Sequence, residues 1–174
     1  MQTDQRIKAL IPVGLLLLSY LVGRTVFQQV PQLKSLFIYP TGEIVSAFYG
    51  IGTYINSEWI FNFGQTRFIL GETCSGTTFF CLLCAYLIYS MIKHKTSFMW
   101  LFLAYPITII ANAMRVLSSI YVHRVLVHIN ADVFGEAIHV FTGTVTFLGC
   151  LLLIASLIDR TGKKLSDGKH SPVF

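Results

Sequence analysis

The stretch Glu72-Thr73-Cys74-Ser75-Gly76-Thr77-Thr78-Phe79-Phe80-Cys81-Leu82-Leu83-Cys84-Ala85-Tyr86-Leu87-Ile88-Tyr89-Ser90-Met91-Ile92-Lys93-His94-Lys95 decides the fold. No charge interrupts it from Gly76 to Ile92, and a basic cluster closes it. Crossing a hydrocarbon core about 30 Å thick takes roughly 20 such residues in a helix. In that solvent the backbone must satisfy its own polar groups, so the run reads as a transmembrane helix. A polar turn carrying Cys74 precedes it.

Three comparable runs lie outward from this one, at about residues 7–27, 97–122 and 136–158. Over the 174 residues, 54% are hydrophobic and 12% charged, and mean hydropathy is +0.66. Soluble domains carry about 25% charged residues. The chain therefore reads as an all-α polytopic membrane protein, a single membrane-embedded domain over 1–174 with four transmembrane helices. The N-terminus, with Arg6 and Lys8 before an apolar run, resembles a signal peptide. Its run is too long and lacks a small-residue cleavage site, so it reads as a retained anchor.

Two segments are weaker. Residues 28–41 are polar, with Pro31, Lys34 and Pro40. In residues 42–57, Ile44, Val45, Phe48, Ile51 and Ile55 recur at helical spacing, diluted by Glu43, Ser46 and glycines. That segment reads as a weak span or an interfacial amphipathic helix. Residues 58–71 place aromatic and β-branched residues around Asn62-Phe63-Gly64-Gln65, which predicts a short β-hairpin. A polar connection is expected from His123 to Gly135, and a mobile basic tail from Asp159.

Charge chooses the topology, because Lys and Arg favour the cytoplasmic side. If residues 42–57 do not cross and the N-terminus is inside, Arg6, Lys8, Lys93, Lys95, Arg160, Lys163, Lys164 and Lys169 are all cytoplasmic, eight of the 13 basic residues. Arg24, Lys34, Arg67 and Arg124 remain outside, and Arg115 lies in the membrane. Both termini and the 159–174 tail are then cytoplasmic, with the amphipathic helix and hairpin on the outer face of the inner membrane. The net charge of +5 belongs to this pattern and not to nucleic-acid binding.

That topology puts three unexpected polar residues at one depth. Cys74 opens the second span. Arg115 lies about two turns, roughly 10 Å, from the outer end of the third. His139 lies in the first turn of the fourth. Helix N-termini stabilise anions and so favour a thiolate at Cys74. The N–H groups of Ser75 and Gly76 are candidates to face an oxyanion. An arginine within a span costs about 2.5–3.5 kcal/mol by insertion scales and usually faces a cavity or a partner. Asn112, one turn earlier on the same helix face, is expected to hold its guanidinium. His139 is a candidate general base; His123 and His128 compete for that role, while His94 is on the other side. Glu43, Glu58, Glu72, Asp132 and Glu136 are outer-side acids available to orient an imidazole. No metal site or cofactor is expected, since Cys81-x-x-Cys84 lies within an apolar run.

Thr73-Cys74-Ser75-Gly76 before a membrane helix, Asn112-x-x-Arg115 in the next and His139-x-x-x-Gly143 in the last resemble the exosortase/archaeosortase family. The resemblance covers roughly residues 70–145, in a chain shorter than the larger exosortases. It implies a membrane-embedded cysteine protease-transpeptidase. Its partners would be exported proteins carrying a C-terminal sorting signal with a hydrophobic helix. It also implies Cys74 as nucleophile, His139 as proton shuttle and Arg115 as oxyanion or substrate ligand, with Ser75, Gly76 and Asn112 in support.

Two other readings use the same residues. A four-helix, quinone-linked thiol oxidoreductase would employ Cys81 and Cys84 with Cys74 or Cys150. A non-enzymatic membrane subunit would pair Arg115 with an acid on a partner helix. Neither requires Cys74 and Arg115 to meet.

Overall fold

The computed structural model describes residues 2–50, 52–63, 66–94, 97–128 and 135–167, with side chains described over 13–50, 52–62, 67–92, 97–125, 140–158 and at 160. Among these residues there are helices α1 (Gln2–Gln29), α2 (Gln32–Tyr49), α3 (Thr77–His94), α4 (Met99–His128) and α5 (Gly135–Asp167). A sheet of β1 (Thr53–Ile55), β2 (Glu58–Phe63) and β3 (Thr66–Leu70) lies between α2 and α3, followed by a 3-10 turn at Glu72–Cys74.

Three segments are long and apolar enough to cross a membrane: Glu72–Ile92, Met99–Val125 and Val140–Ile158. The described parts of α1 and α2, Val13–Gln29 and Gln32–Tyr49, meet at a 92° bend and pass the same test only as a pair. The protein is thus a membrane protein of several apolar helices, with three spans or four if the bent pair makes one. Helix α1 packs along α3, and α4 along α5. Leu17, Leu18, Val22, Phe102, Ile110, Phe141, Leu148 and Leu152 point outward and exposed. In water such a surface would aggregate; against acyl chains it is the favourable exterior.

The expected boundaries shift in three places. The segment read as polar at 28–41 is mostly helix, because α2 begins at Gln32 and carries Pro40 within it. It buries Phe37, Ile38, Thr41, Gly42 and Val45 on one face, so packing overrides the local polar composition. Residues 53–55, read as the end of that weak helix, are strand β1. Helix α4 continues to His128, into the expected polar connection, and α5 to Asp167, into the expected tail.

The hairpin is present and larger than expected, because β1 adds a third antiparallel strand in the order β1-β2-β3. Asn56 and Ser57 turn between β1 and β2 with φ of 52° and 67°, the left-handed pair that a two-residue hairpin loop needs. Trp59 pairs with Tyr54 on one side and Leu70 on the other, and Phe61 pairs with Phe68. Trp59, Phe61 and Leu70 are buried against Ile38 and Val45 of α2 and Val116 and Ile120 of α4. Gly42 allows this packing, because any Cβ there would strike the indole of Trp59. Cys74 belongs to the same apolar cluster, so the sheet closes over the nucleophile candidate. A second cluster, with Phe79, Leu83, Leu87, Ala111, Ile154 and Ile158, holds α3, α4 and α5 together away from the sheet.

Candidate active site

The turn around Cys74 is fixed by its own backbone. Cys74 N–H donates to Gly71 O at 3.0 Å and Ser75 N–H donates to Glu72 O at 3.2 Å. Gly76 then adopts φ +76°, a region an L side chain rarely enters. Its carbonyl accepts from Phe80 N–H at 3.0 Å, so Gly76 caps α3. Two residues therefore separate Cys74 from the helix. The Ser75 N–H, expected to face an oxyanion, is engaged by Glu72. The amides of Gly76, Thr77 and Thr78, at the helix start where N–H groups lack intrahelical partners, are better placed for that role.

Asn112 reaches the turn from α4. Its Nδ2 donates to Cys74 O at 2.8 Å and to Thr41 Oγ1 of α2 at 3.4 Å. Asn112 and Thr41 are both fully buried. The expectation that Asn112 holds the Arg115 guanidinium is thus corrected: its Nδ2 turns to the main chain at Cys74, and its Oδ1, the atom able to accept from a guanidinium, takes no hydrogen bond from Arg115. A Cβ on Gly76 would approach the Asn112 side chain to 3.0–3.2 Å, so the left-handed glycine also makes room for the amide. Asn112 Oδ1 is buried with no hydrogen-bond partner.

Arg115 lies three residues further along α4 and turns toward α5. A Cβ on Gly143 would sit 2.6 Å from its Nε. The guanidinium carbon lies 5.1 Å from the ring centroid of Phe147, a cation–π arrangement. Nε is buried without a hydrogen-bond partner. Arg115 lines a cavity of about 240 Å³ together with Ser75, Gly76 and Thr77 of the turn and with Arg24, Lys34 and Glu72. The structure therefore brings Arg115 and the turn residues onto one cavity. Cys74 itself is 6% exposed and packs behind that wall, between Thr73 and Ser75, which line it.

His139 lies on α5 four residues before Gly143, on the same helix face by helical repeat. Its side chain, like those of His94, His128 and Glu136, and like Asp132 entirely, is outside the described residues. None of the four cysteines is in a disulfide. Cys81 lines the cavity, whereas Cys84 and Cys150 pack against the second apolar cluster. Among the described residues, no three His, Cys, Asp or Glu side chains gather as a metal group.

Sequence reasoning missed Thr41, Arg24, Lys34 and Phe147 as members of this region. Thr41 meets Asn112 across 71 residues of chain, and no local pattern announces such a contact. Arg24 and Lys34 entered the sequence argument only as topological charges.

No curated protein and no solved structure matches the chain. A family model described as transmembrane exosortase matches residues 3–156. That match takes in the Cys74 turn, the Asn112–Arg115 segment and the His139–Gly143 segment alike, and the chain belongs to the transmembrane exosortase family.

Proposed function

We propose that this chain is a membrane-embedded cysteine protease-transpeptidase that cleaves the C-terminal sorting signal of exported proteins. The observation that carries the reading is the shared cavity of Arg115 and the Cys74 turn, with Asn112 bonded to the Cys74 carbonyl. Acyl transfer needs a nucleophile, an oxyanion stabiliser and a proton carrier. Cys74 Sγ attacks the scissile carbonyl carbon. Negative charge developing on the carbonyl oxygen falls to the Arg115 guanidinium and the first amides of α3. His139, one turn from the Arg115–Gly143 contact, takes the thiol proton and returns it to the departing amine as the C–N bond breaks. The thioester left on Cys74 is resolved by a second nucleophile, which regenerates the thiol.

The uneven distribution of Lys and Arg supports an inner-membrane protein with both termini cytoplasmic and this site on the outer face. In that arrangement the bent α1–α2 pair counts as one span. A substrate helix lying beside the bundle would deliver its juxtamembrane residues to the cavity.

Replacing Cys74 by Ala should abolish processing of a co-expressed substrate with a C-terminal hydrophobic helix, while membrane insertion stays normal. Undiminished processing by a well-inserted Cys74→Ala variant would remove Cys74 as nucleophile and with it this function.

A further inference from the structure

The cavity carries more positive charge than acyl transfer alone requires. Among the described residues, three cations, Arg24, Lys34 and Arg115, stand on its wall against a single carboxylate, Glu72. Lys34 Nζ and Glu72 Oε2 pair at 2.6 Å. Among the described residues no acid pairs with Arg24 or Arg115. The wall also includes Thr77 and Thr78 at the start of α3, where the helix dipole and unbonded amides add positive potential. A volume of about 240 Å³ is many times what a single water needs, which is ample for an oxyanion and its substituents.

The position of Arg24 narrows the source of that anion. It lies near the end of α1, just before the 92° bend into α2. One and two turns back on its own helix face, Leu21 and Leu17 are exposed apolar residues, 47% and 58% accessible, of the kind that face acyl chains. Arg24 thus joins the cavity to a lipid-facing stripe of α1. A phosphate joined to acyl chains satisfies both halves of that surface at once. A soluble anion satisfies only the first.

We propose that this cavity is a phospholipid headgroup site. Arg24 and Lys34 are its phosphate ligands, and Glu72 is the internal anion that competes for Lys34. The site stands on the cavity's charge and position and does not depend on the acyl-transfer reading.

Calorimetric titration of the purified full chain in a maltoside detergent tests the proposal, with dihexanoyl phosphatidylglycerol as probe. Saturable binding is expected, weakened at least fivefold by Arg24→Gln or Lys34→Gln. Glu72→Gln, which releases Lys34, should tighten binding at least twofold, and a misfolded variant cannot imitate a gain. Equal binding of dihexanoylglycerol, which lacks the phosphate, would reduce the site to an apolar groove and overturn the proposal. Inorganic phosphate binding as tightly as the lipid would assign the cavity to a free anion. A short glutamate-containing peptide that displaces the lipid and binds more tightly would assign it to substrate. Either result overturns the lipid assignment, as does affinity indifferent to both Arg24→Gln and Glu72→Gln.

Discussion

Arg115 and Gly143 meet where α4 crosses α5, so closely that a single methyl at 143 would lie 2.6 Å from the arginine Nε. The glycine is the space the guanidinium occupies. Gly143→Ala should therefore displace Arg115 as well as overpack the helix contact, at a cost of about 1–3 kcal/mol in stability. Processing should fall at least tenfold. In an Arg115→Ala background the same glycine change should cost little further activity, because its target is already gone. Processing assays on the two single variants and the double variant measure that coupling. Fully additive losses would separate Gly143 from Arg115.

Arg115→Lys keeps a positive charge but loses the planar fork and its stacking on Phe147. Activity should drop at least a hundredfold, close to that of Arg115→Gln, while both proteins remain inserted. A lysine variant with near-normal processing would mean that the charge suffices and the Phe147 arrangement is incidental. Assaying the two variants side by side, normalised to the amount in the membrane, decides between these.

Much of this arrangement was legible before any coordinates, for reasons that differ by residue. Cys74 stood out because a polar turn breaks before an uncharged helix, and Arg115 because burying a guanidinium in a span is costly. Both signals are local. The bend at residues 30–31 was not legible, because α2 is held by Phe37, Ile38 and Val45 packing on distant elements. Strand β1 was hidden by its length of three residues and by a left-handed Asn56-Ser57 turn without glycine. The partner of Asn112 was misassigned for a related reason. Helical spacing names neighbours within a helix, and the amide's partners lie on two other segments.

The Asn112 amide bridges three segments, so its loss should loosen the Cys74 turn before it unfolds the bundle. Asn112→Ala removes a buried bond to the Cys74 carbonyl, worth roughly 1–2 kcal/mol in a membrane interior. Thr41→Val removes only the longer, weaker contact and should cost less than half as much. Thiol labelling of Cys74 should accelerate in Asn112→Ala, as the turn opens from its 6% exposed position. Unchanged labelling with a lowered melting temperature would reduce Asn112 to a packing residue.

Gly76 carries two constraints at once, a left-handed backbone and a side-chain amide 3.0–3.2 Å from where a Cβ would stand. Gly76→Ala must enter a region costing about 1–2 kcal/mol for an L residue and also push Asn112 off the Cys74 carbonyl. Its effect should therefore exceed that of Asn112→Ala on processing and on melting temperature alike. Gly149 makes the control, since nothing lies within 4 Å of an added Cβ there. Gly149→Ala should leave both readouts within error of the parent. If Gly76→Ala proved as silent as Gly149→Ala, the turn would be too compliant to hold Cys74 against an oxyanion-binding helix start.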